Sequence, residues 1–264
     1  MFELKEKNGV KYLVINEYEK TNLVNHCFST RIGGVSTGET ASLNFGFTRK
    51  DKRENVIENF KILCKTIDVN YSRLVLTDQV HGTAVYKVTE KDAGKGIIYD
   101  SDIKEVDALI TNVPDIPIVT FHADCIPIFF LDPVCKVIGL AHSGWKGTYE
   151  NISKKVIDKM IDEYSIKPAN LICGIGPSIL SCHFEVDTSF AEMFEERYGK
   201  QFTLYMEKPH IDLTAIVEKQ LRDCGVEKII QSKICTYCSK DIFYSYRGDN
   251  HHTGSLISVM SLKR

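Results

Sequence analysis

The stretch IPIVTFHADCIPIFFLDPVCKVIGLA, residues 116–141, contains three apolar runs separated by short turns. The runs are residues 116–121, 126–131 and 137–141, and they are rich in β-branched and aromatic side chains. Short continuous apolar runs between turn residues are typical of strands that are buried on both faces. We therefore predict that these three strands form the most buried part of the fold.

Around this centre, apolar residues at helical spacing predict helices at residues 51–67, 150–164, 188–198 and 213–224. Asp51 and Glu54 are predicted to form a capping box, and Asp212 is predicted to cap the last helix. Further strands, including one at residues 242–246, do not alternate strictly with the helices. The pattern predicts a mixed α/β fold of layered β-sheets flanked by helices rather than a Rossmann fold. Because the composition does not shift along the chain, we expect a single domain over residues 1–264.

Composition excludes several classes of protein. The 264 residues carry a formal net charge of −2, which gives no overall attraction to nucleic acid or to an anionic membrane. The first residues lack the apolar segment of a signal peptide, and no apolar run approaches the ~20 residues that span a bilayer. The nine cysteines are odd in number and irregularly spaced, which argues against a disulfide framework. We expect a cytoplasmic protein.

Three potential metal ligands lie at predicted strand ends, next to glycine or proline: His81, Cys125 and His142. Two imidazoles and one thiolate suit zinc, and three protein ligands leave the fourth position open, as in catalytic zinc sites. Each residue alone is more often a packed or hydrogen-bonded side chain, and the spacing matches no zinc finger.

Other cysteines and histidines are predicted to be structural or solvent-facing. His122 lies three residues before Cys125, which in an extended segment places the two side chains on opposite faces. Cys235 and Cys238 form a lone C-x-x-C motif, and a structural zinc site needs four ligands. The adjacent pairs at residues 182–183 and 251–252 are poorly placed to chelate one ion within the pair.

Several turns could hold an anion. Arg31 precedes Gly33 and Gly34, Lys146 lies at the predicted start of a helix, and Arg247 follows a Tyr-Ser-Tyr segment. Glycine-rich turns and helix N-termini present backbone N–H groups to phosphate. Trp145, the only tryptophan, either stacks on a planar ring or covers the core. Each of these segments is also compatible with an ordinary turn that binds no ligand.

Together these segments resemble the YfiH/YlmD-type family, which is also described as laccase-like or multicopper polyphenol oxidase and as purine nucleoside phosphorylase. The resemblance extends from about Thr30 to the C-terminus. It rests on the ordered motifs Thr30-Arg31-x-Gly33-Gly34-x-Ser36, Leu43-Asn44, Gln79-Val80-His81-Gly82, Asp107-Ala108-Leu109-x-Thr111, Ala123-Asp124-Cys125-x-Pro127, His142-x-Gly144-Trp145-x-Gly147, Gly176-Pro177-x-Ile179, Glu185-Val186, Asp212-Leu213, Cys235-Thr236 and Ser245-Tyr246-Arg247.

The resemblance implies a YfiH/laccase-like domain that binds one zinc ion through His81, Cys125 and His142. It implies phosphorolysis of adenosine, inosine and methylthioadenosine, together with adenosine deamination. Copper-dependent phenol oxidation and editing of a peptidoglycan precursor have also been attributed to such proteins. The chain has 8 histidines and no His-x-His pair, which argues against a true multicopper oxidase. Copper could still occupy a Cys-His₂ site in vitro.

For this chemistry we assign Asp124 as a proton-transfer group beside Cys125, although it could instead cap the turn. Asn44 and Trp145 are candidates for contacts with the nucleoside, and the phosphate is assigned to the cations at positions 31, 146 and 247. Expected partners are a nucleoside and phosphate, with no nucleic acid, membrane or obligate protein partner. Two alternatives stay open: a cysteine hydrolase with Cys125 as nucleophile, and a metal-stabilised binding protein.

Overall fold

The computed structural model describes residues 1–264 and is built from β-strands and α-helices. The strands are β1 (Phe2–Lys7), β2 (Val10–Ile15), β3 (Val24–Ser29), β4 (Val75–Leu76), β5 (Val85–Lys87), β6 (Ala108–Thr111), β7 (Ile118–His122), β8 (Ile126–Asp132), β9 (Val137–Ser143), β10 (Ile172–Ile175), β11 (Thr203–Tyr205), β12 (Pro209–Ile211), β13 (Lys228–Gln231) and β14 (Leu256–Leu262). The helices are α1 (Asn16–Glu19), α2 (Arg53–Ile67), α3 (Trp145–Tyr149), α4 (Ile152–Tyr164), α5 (Thr188–Tyr198) and α6 (Leu213–Asp223).

Two six-stranded sheets dominate the molecule. The first has the order β1-β2-β3-β14-β7-β4 and the second the order β13-β10-β8-β9-β6-β5. In both, the central strands are antiparallel, and the pairs β4–β7, β5–β6 and β10–β13 at the edges are parallel. The three apolar runs predicted from sequence are the strands β7, β8 and β9, but β7 lies in the first sheet and the other two lie in the second.

The sheets pack face to face, and helices cover their outer faces. One apolar cluster takes residues from both sheets, including Phe28, Phe129 and Leu256, so it fills the space between them. A second cluster joins the outer face of the second sheet to α4 and α6, and a third joins the outer face of the first sheet to α2. The predicted mixed α/β fold of layered sheets flanked by helices is confirmed. None of the helices has the length and apolar character needed to cross a membrane.

Local predictions agree with this fold to different degrees. Asp212 caps α6, because its carboxylate accepts the N–H of Ala215 at 2.9 Å. The predicted capping box is wrong, since α2 begins at Arg53 and its N-cap residue Lys52 makes no side-chain capping bond. The predicted strand at residues 242–246 is also wrong: this segment is a turn whose Phe243 and Tyr244 are buried.

The chain passes twice from the first sheet to the second on the side where the candidate ligands lie. His81 lies in the segment between β4 and β5, and Cys125 lies in the short segment between β7 and β8. His142 lies in β9, which is antiparallel to β8. Of the three predicted ligands, His81 and Cys125 therefore lie on connections between the two sheets, and His142 lies on a central strand.

A buried histidine in β3, bonded to the end of β2, gives the fold a testable pH dependence. The Ile15 N–H donates to His26 Nε2 at 2.7 Å, and His26 is 3% exposed. Burial lowers the pKa of His26 to about 4, whereas an unfolded histidine has a pKa near ~6.5. Between these values the unfolded chain binds a proton that the folded chain excludes, so the free energy of unfolding falls as the pH falls, by up to ~3 kcal/mol. Urea unfolding across this window should show a smaller pH slope for His26→Asn, and equal slopes would contradict the assignment.

Candidate metal centre

Three side chains from separate parts of the chain meet where the two sheets are connected. The ligand atoms of His81, Cys125 and His142 all lie within 4.8 Å of one another. The two imidazole rings meet edge to face, with an interplanar angle of 77° and centroids 4.9 Å apart. The structure therefore brings together the trio that the sequence singled out, and these residues could hold a metal ion.

Strand register explains much of this convergence. Ile126 pairs with Ser143, so the residue before β8 lies opposite Gly144, and Ala108 pairs with Ala141, so the residue before β6 lies opposite His142. Those two residues are Cys125 and Asp107. Gly144 completes the packing, because a Cβ atom there would lie 2.7 Å from His81 Cδ2 and 3.2 Å from Cys125 Sγ. A larger residue at this position would push the ligands apart.

Asp107 fixes the orientation of both histidines. Its buried carboxylate accepts the backbone N–H groups of Val80, His81 and Gly82 at 3.1, 3.1 and 2.8 Å. It also accepts Nδ1–H of His142 at 2.7 Å, which leaves His142 Nε2 for the cluster. A carboxylate behind a histidine ligand is a common support in metal sites. The sequence analysis named Asp107 only as part of a motif and assigned it no role. Its position directly before a buried strand could have indicated that it supports the site.

His81 adopts a left-handed backbone conformation, with φ of 62°. Such a conformation is uncommon for residues other than glycine and has an energetic cost. The three backbone bonds to Asp107 hold the turn in this shape. The His81 ring is thereby directed to the solvent side of the cluster, while His142 is buried.

The electrostatics of the cluster favour a thiolate. Burial alone would raise the pKa of Cys125, but the adjacent charge and hydrogen bonds of His142 and His81 outweigh it and lower the pKa. Burial would lower the pKa of His142, but Cys125 and Asp107 outweigh it and raise the pKa. A thiolate is the form that binds metal ions and acts as a nucleophile, so this environment suits either role for Cys125.

Two cavities meet at the cluster. The larger, about 610 Å³, is lined by residues that include Phe47, Arg49 and Tyr99 as well as the three clustered side chains. The smaller, about 410 Å³, shares Arg49, His81 and Cys125 with the larger one. Its aromatic wall consists of Trp145, Phe184 and Tyr246. The cluster is therefore reachable from both sides by a small molecule.

Three of the other residues predicted for the site line the smaller cavity: Asp124, Trp145 and Arg247. Both carboxylate oxygens of Asp124 are occupied by other groups. One accepts the hydroxyl of Thr236 at 2.6 Å, and the other accepts the backbone N–H of Arg247 at 2.8 Å. Asp124 thus joins the Cys125 segment to the C-terminal loops, which matches the turn-supporting role left open for it.

The remaining predicted residues, Arg31, Asn44 and Lys146, do not line either cavity. Arg31 donates to the carbonyl groups of Ala41 and Lys240 and lies over the ring of Tyr244 at 4.5 Å. The amide of Asn44 is fully buried and bonded to Asp51, Gly46 and Ser255. Lys146 is exposed, with its Nζ 5.8 Å from the ring of Trp145. The geometry gives Arg31 and Asn44 structural positions.

His122 lies beside the cluster without belonging to it. Its Nδ1–H donates to the carbonyl of Cys125 at 3.2 Å, and its Nε2 accepts from the hydroxyls of Thr120 and Ser258 at 2.9 and 3.2 Å. Both ring nitrogens are therefore used, and the ring supports the Cys125 segment. Sequence reasoning missed Arg49, whose partly buried guanidinium lines both cavities and makes one side-chain hydrogen bond, to Ser255 Oγ at 3.1 Å.

Fold and site together define a layered α/β protein with a Cys-His₂ cluster, able to hold a metal ion, at the junction of two cavities. The family described as multi-copper polyphenol oxidoreductase laccase matches residues 25–263, and the chain belongs to this family. The resemblance read from the sequence motifs is thereby confirmed.

Individual relatives cover nearly the whole chain. Purine nucleoside phosphorylase YlmD of Bacillus subtilis is 31% identical over 95% of this chain and 94% of its own length. Purine nucleoside phosphorylase YfiH of Escherichia coli is 31% identical over 95% of this chain and 98% of its own length. The crystal structure of YlmD from Geobacillus stearothermophilus superposes with a TM-score of 0.91 at 28% identity, covering 100% of this chain and 99% of that one.

Proposed function

We propose that this chain is a zinc-dependent purine nucleoside phosphorylase whose active site is the His81–Cys125–His142 centre. The observation that carries the proposal is the convergence of these side chains at the junction of two cavities. The relatives described above are named purine nucleoside phosphorylases, which supports an enzyme of this kind. Adenosine, inosine and methylthioadenosine are the proposed substrates, with deamination of adenosine as a second activity.

The donor set fits zinc with one open position, because two imidazoles and a thiolate leave the fourth position of a tetrahedron free. His142 is already oriented by Asp107 with Nε2 toward the cluster. When bound there, zinc supplies Lewis-acid polarisation of an oxygen ligand and activation of water. Copper at the same three ligands is compatible with the donor types, but a mononuclear site does not reproduce a multicopper centre.

In phosphorolysis a phosphate oxygen forms a bond to the ribose C1′ while the bond from C1′ to the purine nitrogen breaks, and the released base takes up a proton. The attacking phosphate needs cations, and Arg49 and Arg247 line the smaller cavity. The aromatic wall of Trp145, Phe184 and Tyr246 offers planar surfaces for the base. Asp124 is a positioning residue: it directly precedes Cys125, and its carboxylate accepts the backbone N–H of Arg247, so it holds these two segments together.

The assay that tests the proposal is incubation of zinc-loaded protein with adenosine and inorganic phosphate. Release of adenine and ribose-1-phosphate is expected, and inosine formed without phosphate would report the deaminase activity. Failure to release the free base and the corresponding pentose-1-phosphate from adenosine, inosine and methylthioadenosine alike would contradict the proposal. Inactivation of zinc-free protein by iodoacetamide, with hydrolytic activity present before treatment, would instead support the cysteine hydrolase.

Arg49→Ala is expected to raise the KM for phosphate roughly 10–100-fold, because a hydrogen bond to a charged group is worth ~1.5–3 kcal/mol. The KM for the nucleoside should change much less. Initial rates at varied phosphate measure the effect. Lys50→Ala is the matched control, since Lys50 is an exposed neighbouring cation outside both cavities. An unchanged phosphate KM in Arg49→Ala would remove Arg49 from the phosphate site.

A further inference from the structure

A second group of metal-binding side chains lies outside the active-site cavities. It consists of Cys182, His183, Cys235 and Cys238, whose ligand atoms all lie within 4.8 Å of one another. Sequence reasoning treated the adjacent pair and the C-x-x-C motif separately and predicted structural or solvent-facing roles. The structure unites them, although 52 residues separate His183 from Cys235.

Four of the distances between these atoms are close to those of a tetrahedral zinc site. Zinc bonds of ~2.3 Å to sulfur and ~2.0 Å to nitrogen at tetrahedral angles place two sulfurs ~3.8 Å apart and a sulfur and a nitrogen ~3.5 Å apart. The two sulfurs of Cys182 and Cys238 are 3.8 Å apart. His183 Nδ1 lies 3.3, 3.4 and 3.9 Å from the sulfurs of Cys182, Cys238 and Cys235.

The fold explains why two distant segments meet here. β10 and β13 are parallel neighbours, so the loops that follow them both start at the carboxyl-terminal end of these strands, on the same side of the second sheet. The first loop carries Cys182 and His183, and the second carries the C-x-x-C motif. The loops are also joined by backbone bonds, in which Ser178 N–H donates to the carbonyl of Ile234 at 3.3 Å and Thr236 N–H donates to the carbonyl of Ser178 at 3.0 Å.

The imidazole is held with its donor atom facing the sulfurs. The ring of Tyr237, inside the C-x-x-C motif, stacks on His183 with centroids 3.9 Å apart and an interplanar angle of 17°. Cys182 and Cys238 are exposed, and Cys235 is buried. Three thiols and one imidazole around a common point at the surface have no evident purpose in apolar packing.

We propose that Cys182, His183, Cys235 and Cys238 bind a structural zinc ion, separate from the Cys-His₂ centre. Three cysteines and one histidine complete the four positions of tetrahedral zinc, so this site has no open position for substrate. The ion closes the loop after β10 onto the loop after β13. Its chemical role is therefore to fix loop geometry.

A short series of hydrogen bonds connects the proposed zinc site to the active site. Thr236 lies between the two cysteines of the motif, and its hydroxyl donates to Asp124 beside Cys125. Arg247, which lines the smaller cavity, donates its backbone N–H to the other oxygen of Asp124. The structural zinc thus anchors the segment that positions Asp124.

Zinc counting on protein purified without added metal tests the proposal. The wild type is expected to contain two zinc ions per chain, and Cys238→Ser and Cys125→Ser one each. Cys135→Ser, which removes an exposed cysteine from the turn between β8 and β9, is the matched control and should retain two. Zinc content does not depend on phosphorolysis, so failure of this proposal and failure of the proposed function are distinguishable.

Cobalt substitution gives a second readout, and a cobalt content of one in Cys238→Ser shows that this variant still folds around the Cys-His₂ centre. Thiolate-to-cobalt charge-transfer absorption should be several-fold weaker after Cys238→Ser than after Cys125→Ser, because the proposed site has three thiolates and the other has one. A zinc content of one in the wild type, unchanged by Cys238→Ser, would overturn the proposal. So would a disulfide among Cys182, Cys235 and Cys238, found by mass spectrometry of freshly purified, non-reduced protein.

Discussion

Cys125→Ala is expected to lower the rate of phosphorolysis by at least ~10³-fold. The substitution removes the thiolate from the proposed zinc site and should abolish zinc binding there, and a loss of ~4 kcal/mol of transition-state stabilisation corresponds to ~10³-fold in rate. Initial rates with adenosine and phosphate, together with zinc content, measure the effect. Apart from the stability that bound zinc contributes, the substitution should change the free energy of unfolding little, because Cys125 lies at the edge of two cavities rather than inside an apolar cluster.

Cys135→Ala provides the control for cysteine removal and should retain the wild-type rate. Cys135 is exposed in a turn and touches neither cavity. Activity that persists at the wild-type level in Cys125→Ala would sink both the active-site assignment and the alternative in which this thiol is a nucleophile. Zinc retained with activity lost would instead point to a nucleophilic thiol.

Asp107→Ala is expected to damage both metal binding and stability. Loss of the carboxylate leaves three backbone N–H groups and the His142 ring without their acceptor, in a residue that is 0% exposed. Breaking a buried pair by removing one partner typically costs ~3–5 kcal/mol, and removing the support behind a histidine ligand lowers metal affinity ~10–100-fold. Urea unfolding and competition with a zinc chelator measure the two effects.

Asp107→Asn is the intermediate variant for this carboxylate. The amide oxygen can still accept one or two of the four hydrogen bonds, so its losses should lie between those of the wild type and Asp107→Ala. A variant with alanine at this position that binds zinc as tightly as the wild type would show that His142 does not need Asp107 for its orientation.

The layered fold was predictable where a single property decides local structure. Apolar runs identified β7, β8 and β9, and the carboxylate of Asp212 identified the start of α6. The sequence could not predict that β7 lies in a different sheet from β8 and β9. A strand that is buried on both faces is apolar throughout, and its sequence does not show which strands pair with it. The segment at residues 242–246 was misread for a related reason: Phe243 and Tyr244 are apolar because their turn packs into the core between the sheets.

The three side chains of the candidate metal centre could be singled out from residue type and strand-end position, but the residues that surround them could not. Arg31 next to two glycines looks like an anion site, yet its guanidinium is used by carbonyl groups and by Tyr244. Arg49 has no motif of its own, and only the tertiary structure places it beside the cavities. The Cys182–Cys238 contact depends on the pairing of β10 with β13, which no local pattern encodes.

His81 and Cys125 lie on connections between the layers, and this placement has a consequence for how the protein assembles. In a chain whose two sheets have not yet docked, these side chains have no fixed separation, so the centre cannot exist as a local element. Its formation therefore requires that the two sheets have docked. With cobalt bound at this position, the absorption of the centre would follow docking during refolding, because it appears only after the two sheets have packed together.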